Sequence, residues 1–174
     1  MKKVKALKPF IHYEALKRWE IATFLIYASI TLYIIWLCFE GGNKIQNETV
    51  FGYAVFTQTC LYILLYVSLR NFTSYLIWVC FGVVHLVMYL AFKDSQGLQG
   101  HKADLFAALA NTLPLLLLFQ FLRYFSIKIQ GREFVVPEKN SDTDLIENKK
   151  VSSVDSVICI IYIISLIGSA FLMT

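Results

Sequence analysis

The chain has 174 residues, 57% of them apolar or aromatic and only 16% charged, with a mean hydropathy of +0.60. Soluble chains average about 45–50% apolar and about 25% charged residues, so this composition excludes an ordinary water-soluble domain. The net charge of +4 does not argue for nucleic acid, because most Lys and Arg flank apolar runs, where they set membrane topology.

Residues 1–20 open with four lysines, then Pro9 and the segment FIHYEALKRWE. Phe10, Tyr13 and Leu16 recur at a spacing of three, with Glu14, Lys17 and Arg18 off that line, so the pattern predicts a short interfacial helix with Trp19 at headgroup level. Residues 21–39 form the first predicted span. Basic residues precede it as in a signal peptide, but the run is too long for that and no A-x-A site follows, so the segment is expected to persist. A turn at Gly41-Gly42-Asn43 leads to a second span, 51–69. Residues 70–74 connect it to a third, 75–92, and a Gly-containing loop leads to Asp104, which is expected to cap a fourth span, 105–123. That span contains Asn111, Thr112 and Pro114. Pro114 cannot donate to the carbonyl of Ala110, which predicts a kink.

Residues 124–155 are the longest polar segment. SIKIQGREFVVP alternates around Gly131 and predicts a small β-hairpin, followed by a mobile linker over 137–148. A fifth span, 156–173, follows. The expected fold is an all-α integral membrane protein, a five-transmembrane-helix bundle forming a single membrane domain over 1–174. Lys and Arg set its orientation: thirteen fall on the side of the N-terminus and three on the other, placing the N-terminus in the cytoplasm and the C-terminus outside. The short loops point to a bacterial inner membrane.

With that topology Gln58, His85 and Asn111 each lie about seven residues from the outer end of their spans, about 10 Å below the boundary. Thr31, Thr112 and Ser165 fall near the same depth. Polar groups in hydrocarbon turn toward one another or a cavity, so the six predict a shared polar layer, either interhelical glue or a conduction path. Gly82, Ala107 and Ala108 suggest close helix contacts beside it.

No acid lies inside a span, as a proton-coupled antiporter of the small multidrug type would need. No G-x-S-x-G or H-E-x-x-H motif is present, and His12, His85 and His101 are predicted on three different levels. Cys38, Cys60, Cys80 and Cys159 form no C-x-x-C pair. No catalytic residues, metal or cofactor are therefore expected. The leading expectation is a non-enzymatic membrane scaffold or regulator, with the lipid bilayer and a protein partner or second copy as its contacts. The alternative is an oligomeric channel or small-molecule transporter using the polar layer.

Overall fold

The computed structural model describes residues 10–40, 44–92, 103–138 and 142–171. They form six α-helices: α1 Arg18–Glu40, α2 Lys44–Ile63, α3 Phe72–Phe92, α4 Ala103–Ala110, α5 Thr112–Gln130 and α6 Ser153–Phe171. A 3₁₀ turn, Ser68–Arg70, links α2 to α3. The turn at 41–43 and the loop at 93–102 lie outside the described residues, as do the side chain of Asp104 and all of His101.

Three helical stretches, Arg18–Glu40, Phe72–Phe92 and Ala107–Gln130, are long and apolar enough to cross a membrane. The expected count of five is not reached on that measure. The first turns of α2 carry Lys44, Gln46, Asn47 and Glu48, and the apolar part of α6, Ser153–Gly168, is shorter.

Helix α1 shows how lipid solvates one face while protein covers the other. Glu20, Phe24, Thr31 and Ile34 are buried and Tyr27 half-buried at helical spacing, while Leu25, Leu32, Tyr33, Trp36 and Phe39 stay exposed. So large an apolar face belongs in hydrocarbon rather than in water. Helix α3 lies at the centre, touching α1, α4 and α5. Gly82 permits that closeness: a Cβ added there would lie 3.3 Å from Leu116 Cδ1 and 3.5 Å from the Leu113 Cα. One apolar core gathers Leu61, Tyr66, Trp78, Leu116, Phe119 and Phe134 near one end. A second, around Ile34, Val50, Ala54, Met88 and Leu109, sits near the other.

The fourth predicted span is two helices meeting at Asn111. The Asn111 amide bonds back to Ala108 O in a tight i→i−3 turn, and Leu115 N donates to Asn111 O. Pro114 falls in the first turn of α5, where a missing N–H is tolerated. The kink is therefore a break three residues ahead of the proline.

The predicted β-hairpin is absent, and no strand occurs among the described residues. Helix α5 continues to Gln130, and Gly131, at φ +67°, caps it with its amide on Ile127 O. Gly131 is thus a left-handed helix stop rather than a hairpin turn, a role glycine fills because it lacks a Cβ. The 137–148 linker is also more ordered than expected. Isolated antiparallel bridges join Pro137 to Asp144 and Thr143 to Lys150.

The interfacial helix is corrected too. Residues 1–9 lie outside the described residues, and 10–17 run without helix. Their backbone is satisfied from outside: Phe72 N donates to His12 O at 3.0 Å, while the Asn71 side chain accepts from Glu14 N and donates to Glu14 O. Tyr13 packs edge-on against Phe72, and Phe10 against Tyr124. Asn71 and partners on α3 and α5 replace some of the bonds a helix would have made internally.

Candidate functional site

Two polar constructions stand out, one within the bundle and one across its end.

The inner one centres on His85 of α3, which is 0% exposed. Its Nε2 lies 2.9 Å from Tyr27 Oη and 2.8 Å from Tyr53 Oη, and its Nδ1 lies 2.9 Å from Thr112 Oγ1. Thr31 Oγ1 approaches Tyr53 Oη at 2.7 Å, and Thr57 Oγ1 approaches Tyr27 Oη at 3.1 Å. Gln58 donates from Nε2 to Ala108 O at 2.6 Å and to Thr112 Oγ1 at 3.2 Å. The break at Asn111 matters here, because Ala108 O sits at the irregular turn and takes the glutamine amide. Neutral donors and acceptors from α1, α2, α3 and α5 thus form one chain. In a low dielectric each would be costly alone, while together they fix how the four helices meet.

Of the residues expected in this layer, Thr31, Gln58, His85 and Thr112 are joined in the network. Asn111 is buried at the helix break beside it. Ser165 does not join: its hydroxyl donates to Ile161 O on its own helix at 2.8 Å, as an isolated serine in a helix does. Tyr27, Tyr53 and Thr57 are members that the sequence reading missed. Their signal was a hydroxyl pair at i, i+4, Tyr27–Thr31 on α1 and Tyr53–Thr57 on α2.

The outer construction is a cap over the α1, α3 and α5 ends on the N-terminal side, and it is held by charges. Arg123, 0% exposed, makes two bonds to Glu133, Nε to Oε2 at 2.8 Å and Nη2 to Oε1 at 2.7 Å. It also donates to Phe10 O at 2.9 Å and lies over the Phe10 ring. Arg70 bonds Glu147 and Phe134 O, each at 2.6 Å, over the ring of Tyr66. Asp155 is fully buried and receives Arg132 Nη2 at 2.5 Å, Gln130 Nε2 at 2.8 Å and the amides of Ser152 and Val135. Ser152 Oγ accepts the Asp155 amide in return, a capping box that starts α6.

Asp144 is buried in the loop, where Tyr66 Oη donates to it at 2.5 Å, as do the amides of Glu147 and Lys149. Burial alone raises its pKa, but these donors outweigh it and hold the carboxyl below its usual value. Burial likewise raises Glu147, while Lys149 and Arg70 bring it down on balance. At the turn of the loop, Leu145 and Ile146 are exposed.

Between this cap and the start of α1 lies a cleft of about 620 Å³. Four acids, Glu14, Glu20, Glu133 and Glu147, and four bases, Lys17, Arg70, Arg132 and Lys149, line it together with Trp19 and Ser68. Glu20 accepts from Lys17 N at 2.7 Å, half of a capping box at the head of α1, and from the Ser68 hydroxyl, which in turn contacts Ser74.

Compared with protein-family models, with curated proteins and with solved structures, the chain matches none.

Proposed function

We propose that this chain is a five-span protein of a bacterial inner membrane, N-terminus inside, that acts without catalysis as a scaffold or regulator of a partner. In this reading α2 and α6 cross the bilayer beside the three longer apolar stretches. The observation that carries it is the cap. Arg70 and Arg123 tie residues 130–155 to the helix ends and Arg132 pins them to Asp155, through ion pairs that each bury one partner, and the loop so fixed holds Leu145 and Ile146 out. An ordered platform with an exposed aliphatic tip is suited to docking a protein. The test is complementation of a deletion strain. Leu145→Asp with Ile146→Asp is expected to abolish function, while His85→Leu preserves it once the bundle folds. The reverse result sinks the proposal.

The transporter reading keeps one specific support, the unbroken hydroxyl–imidazole chain across four helices. Against it stands His85 itself, sealed at 0% exposure. Purified chain in proteoliposomes that carried protons or cations, and stopped doing so as His85→Leu, would favour transport.

A further inference from the structure

The seam between α1 and α2 changes character along its length. At the α1 head it opens into the mixed-charge cleft lined by Trp19, Glu20 and Ser68. One to three turns further on, the same seam is an apolar groove of about 300 Å³, walled by Thr23, Ile26 and Ile30 on one side and Cys60, Leu64 and Leu65 on the other. A polar chamber with an apolar groove starting about one turn further along the same two segments has the arrangement of an amphiphile, head and tail.

Two buried groups lack the partner such a ligand would bring. Glu20 is 4% exposed, accepts only two hydrogen bonds and has no cation paired with it among the described residues. A carboxylate offers about four acceptor sites, and a charge so buried is normally matched by an opposite one. Trp78, 2% exposed, lines the apolar groove, and its indole N–H has no hydrogen-bond partner among the described residues. Buried donors of that kind are rare in finished structures.

We propose that this seam binds one membrane phospholipid with an ammonium-bearing head of the ethanolamine type. The ammonium sits against Glu20, the phosphate is held by the bases of the cleft, one acyl chain fills the groove, and an ester carbonyl is within the chemistry Trp78 lacks. Glu20 selects the head: a zwitterion brings its carboxylate a counter-charge, whereas an anionic head would leave that buried acid without one. The Lys17 ammonium, exposed at the rim, has no ion pair among the described residues and is the base free to take the phosphate. This inference rests on the membrane reading above and adds to it a lipid that holds α1 against the cap.

The test is native mass spectrometry of the full chain in detergent, offered equal amounts of palmitoyl-oleoyl phosphatidylethanolamine and phosphatidylglycerol. The expected result is retention of the ethanolamine lipid over the glycerol lipid by about tenfold, the range a desolvated charge pair supplies. Glu20→Gln, which keeps the shape and the bond to Ser68, should erase the preference. Ile30→Trp, at an exposed position in the groove, should lower retention of both lipids. Circular dichroism confirms that each variant is folded, and the two act on different ends of the ligand. Equal retention by the unmodified chain overturns the proposal. So does displacement of the lipid by free phosphoethanolamine, which would mean a head-only site. Extraction of the chain from membranes by carbonate alone would instead sink the membrane reading, a distinct failure.

Discussion

The layer around His85 and the cap around Arg123 are both buried polar networks, yet they are built from opposite materials. Inside the bundle the partners of this network are neutral: hydroxyls, an imidazole, a glutamine amide and a backbone carbonyl. At the end of the bundle the partners are guanidinium and carboxylate. The difference follows depth. A charge in hydrocarbon is costly even when paired, whereas near the surface one partner keeps some water, as Glu133 and Glu147 do at about a fifth to a quarter exposure. The layer therefore specifies how helices meet, and the cap concentrates the bonds whose single loss is most damaging.

That contrast breaks most readily at Arg123. Arg123→Leu leaves Glu133 and Phe10 O without their donor, and the expected cost is about 3 kcal/mol, the low end for a broken buried pair because Glu133 retains solvent. Unfolding by denaturant in detergent micelles measures it. A loss under about 1 kcal/mol, the value of a surface pair, would mean the cap is ornament on the bundle.

Acid should separate the two regions next. Asp144 and Glu147 both titrate below their usual values in the fold. Their contribution is therefore complete above the ordinary carboxylate range and disappears as pH falls through the depressed values. Hydrogen exchange followed from about pH 7 down to about pH 3 should show the loop amides of residues 144–149 losing protection first. The neutral layer should not respond in that window through these groups. Simultaneous loss in both regions would show that they open as one unit.

His85→Leu probes the other side of the comparison. It removes the hub but strands no charge, so the expected cost is smaller, about 1–2 kcal/mol, in the range of interhelical bonds in membranes. Combined with Tyr53→Phe, the losses should add to less than their sum, because the two side chains share one bond. Strict additivity would show that the network is a set of independent contacts.

Depth also explains how much was legible in the amino-acid sequence. Apolar length is a strong signal, and helical spacing placed Gln58, His85 and Thr112 near one level because a helix rises steadily. Tyrosine hid its role: Tyr27 and Tyr53 read as apolar rings, although their hydroxyls meet at His85. The cap was harder. Its bases read as topology signals, which says nothing of Arg123 turning inward to reach Glu133 and Phe10 O. The alternation around Gly131 imitated a hairpin, since Ile127, Ile129 and the valines at 135 and 136 were apolar for different reasons, a helix face in one case and an extended buried strip in the other. The reciprocal pair Ser152 and Asp155 was readable as S-x-x-D before an apolar run, and it marks the true start of α6 three residues ahead of the expected span.

That capping pair offers the finest test, because it belongs to both a helix and the charge network. Ser152 Oγ accepts the Asp155 amide and lies 2.7 Å from Gln130 Oε1, toward which it donates. Ser152→Ala removes a helix cap and one link to α5 but leaves Arg132 on Asp155, so the cost should be about 1 kcal/mol. If only the cap is lost, faster hydrogen exchange will be confined to the first turn of α6. If Ser152 is needed to aim Asp155, the amide of Val135, which donates to that carboxylate at 3.2 Å, will also lose protection. Because Asp155 keeps an arginine, a glutamine and two backbone amides without the serine hydroxyl, the confined outcome is expected. Spread to Val135 would show that the charged cap, unlike the neutral layer, depends on every one of its members.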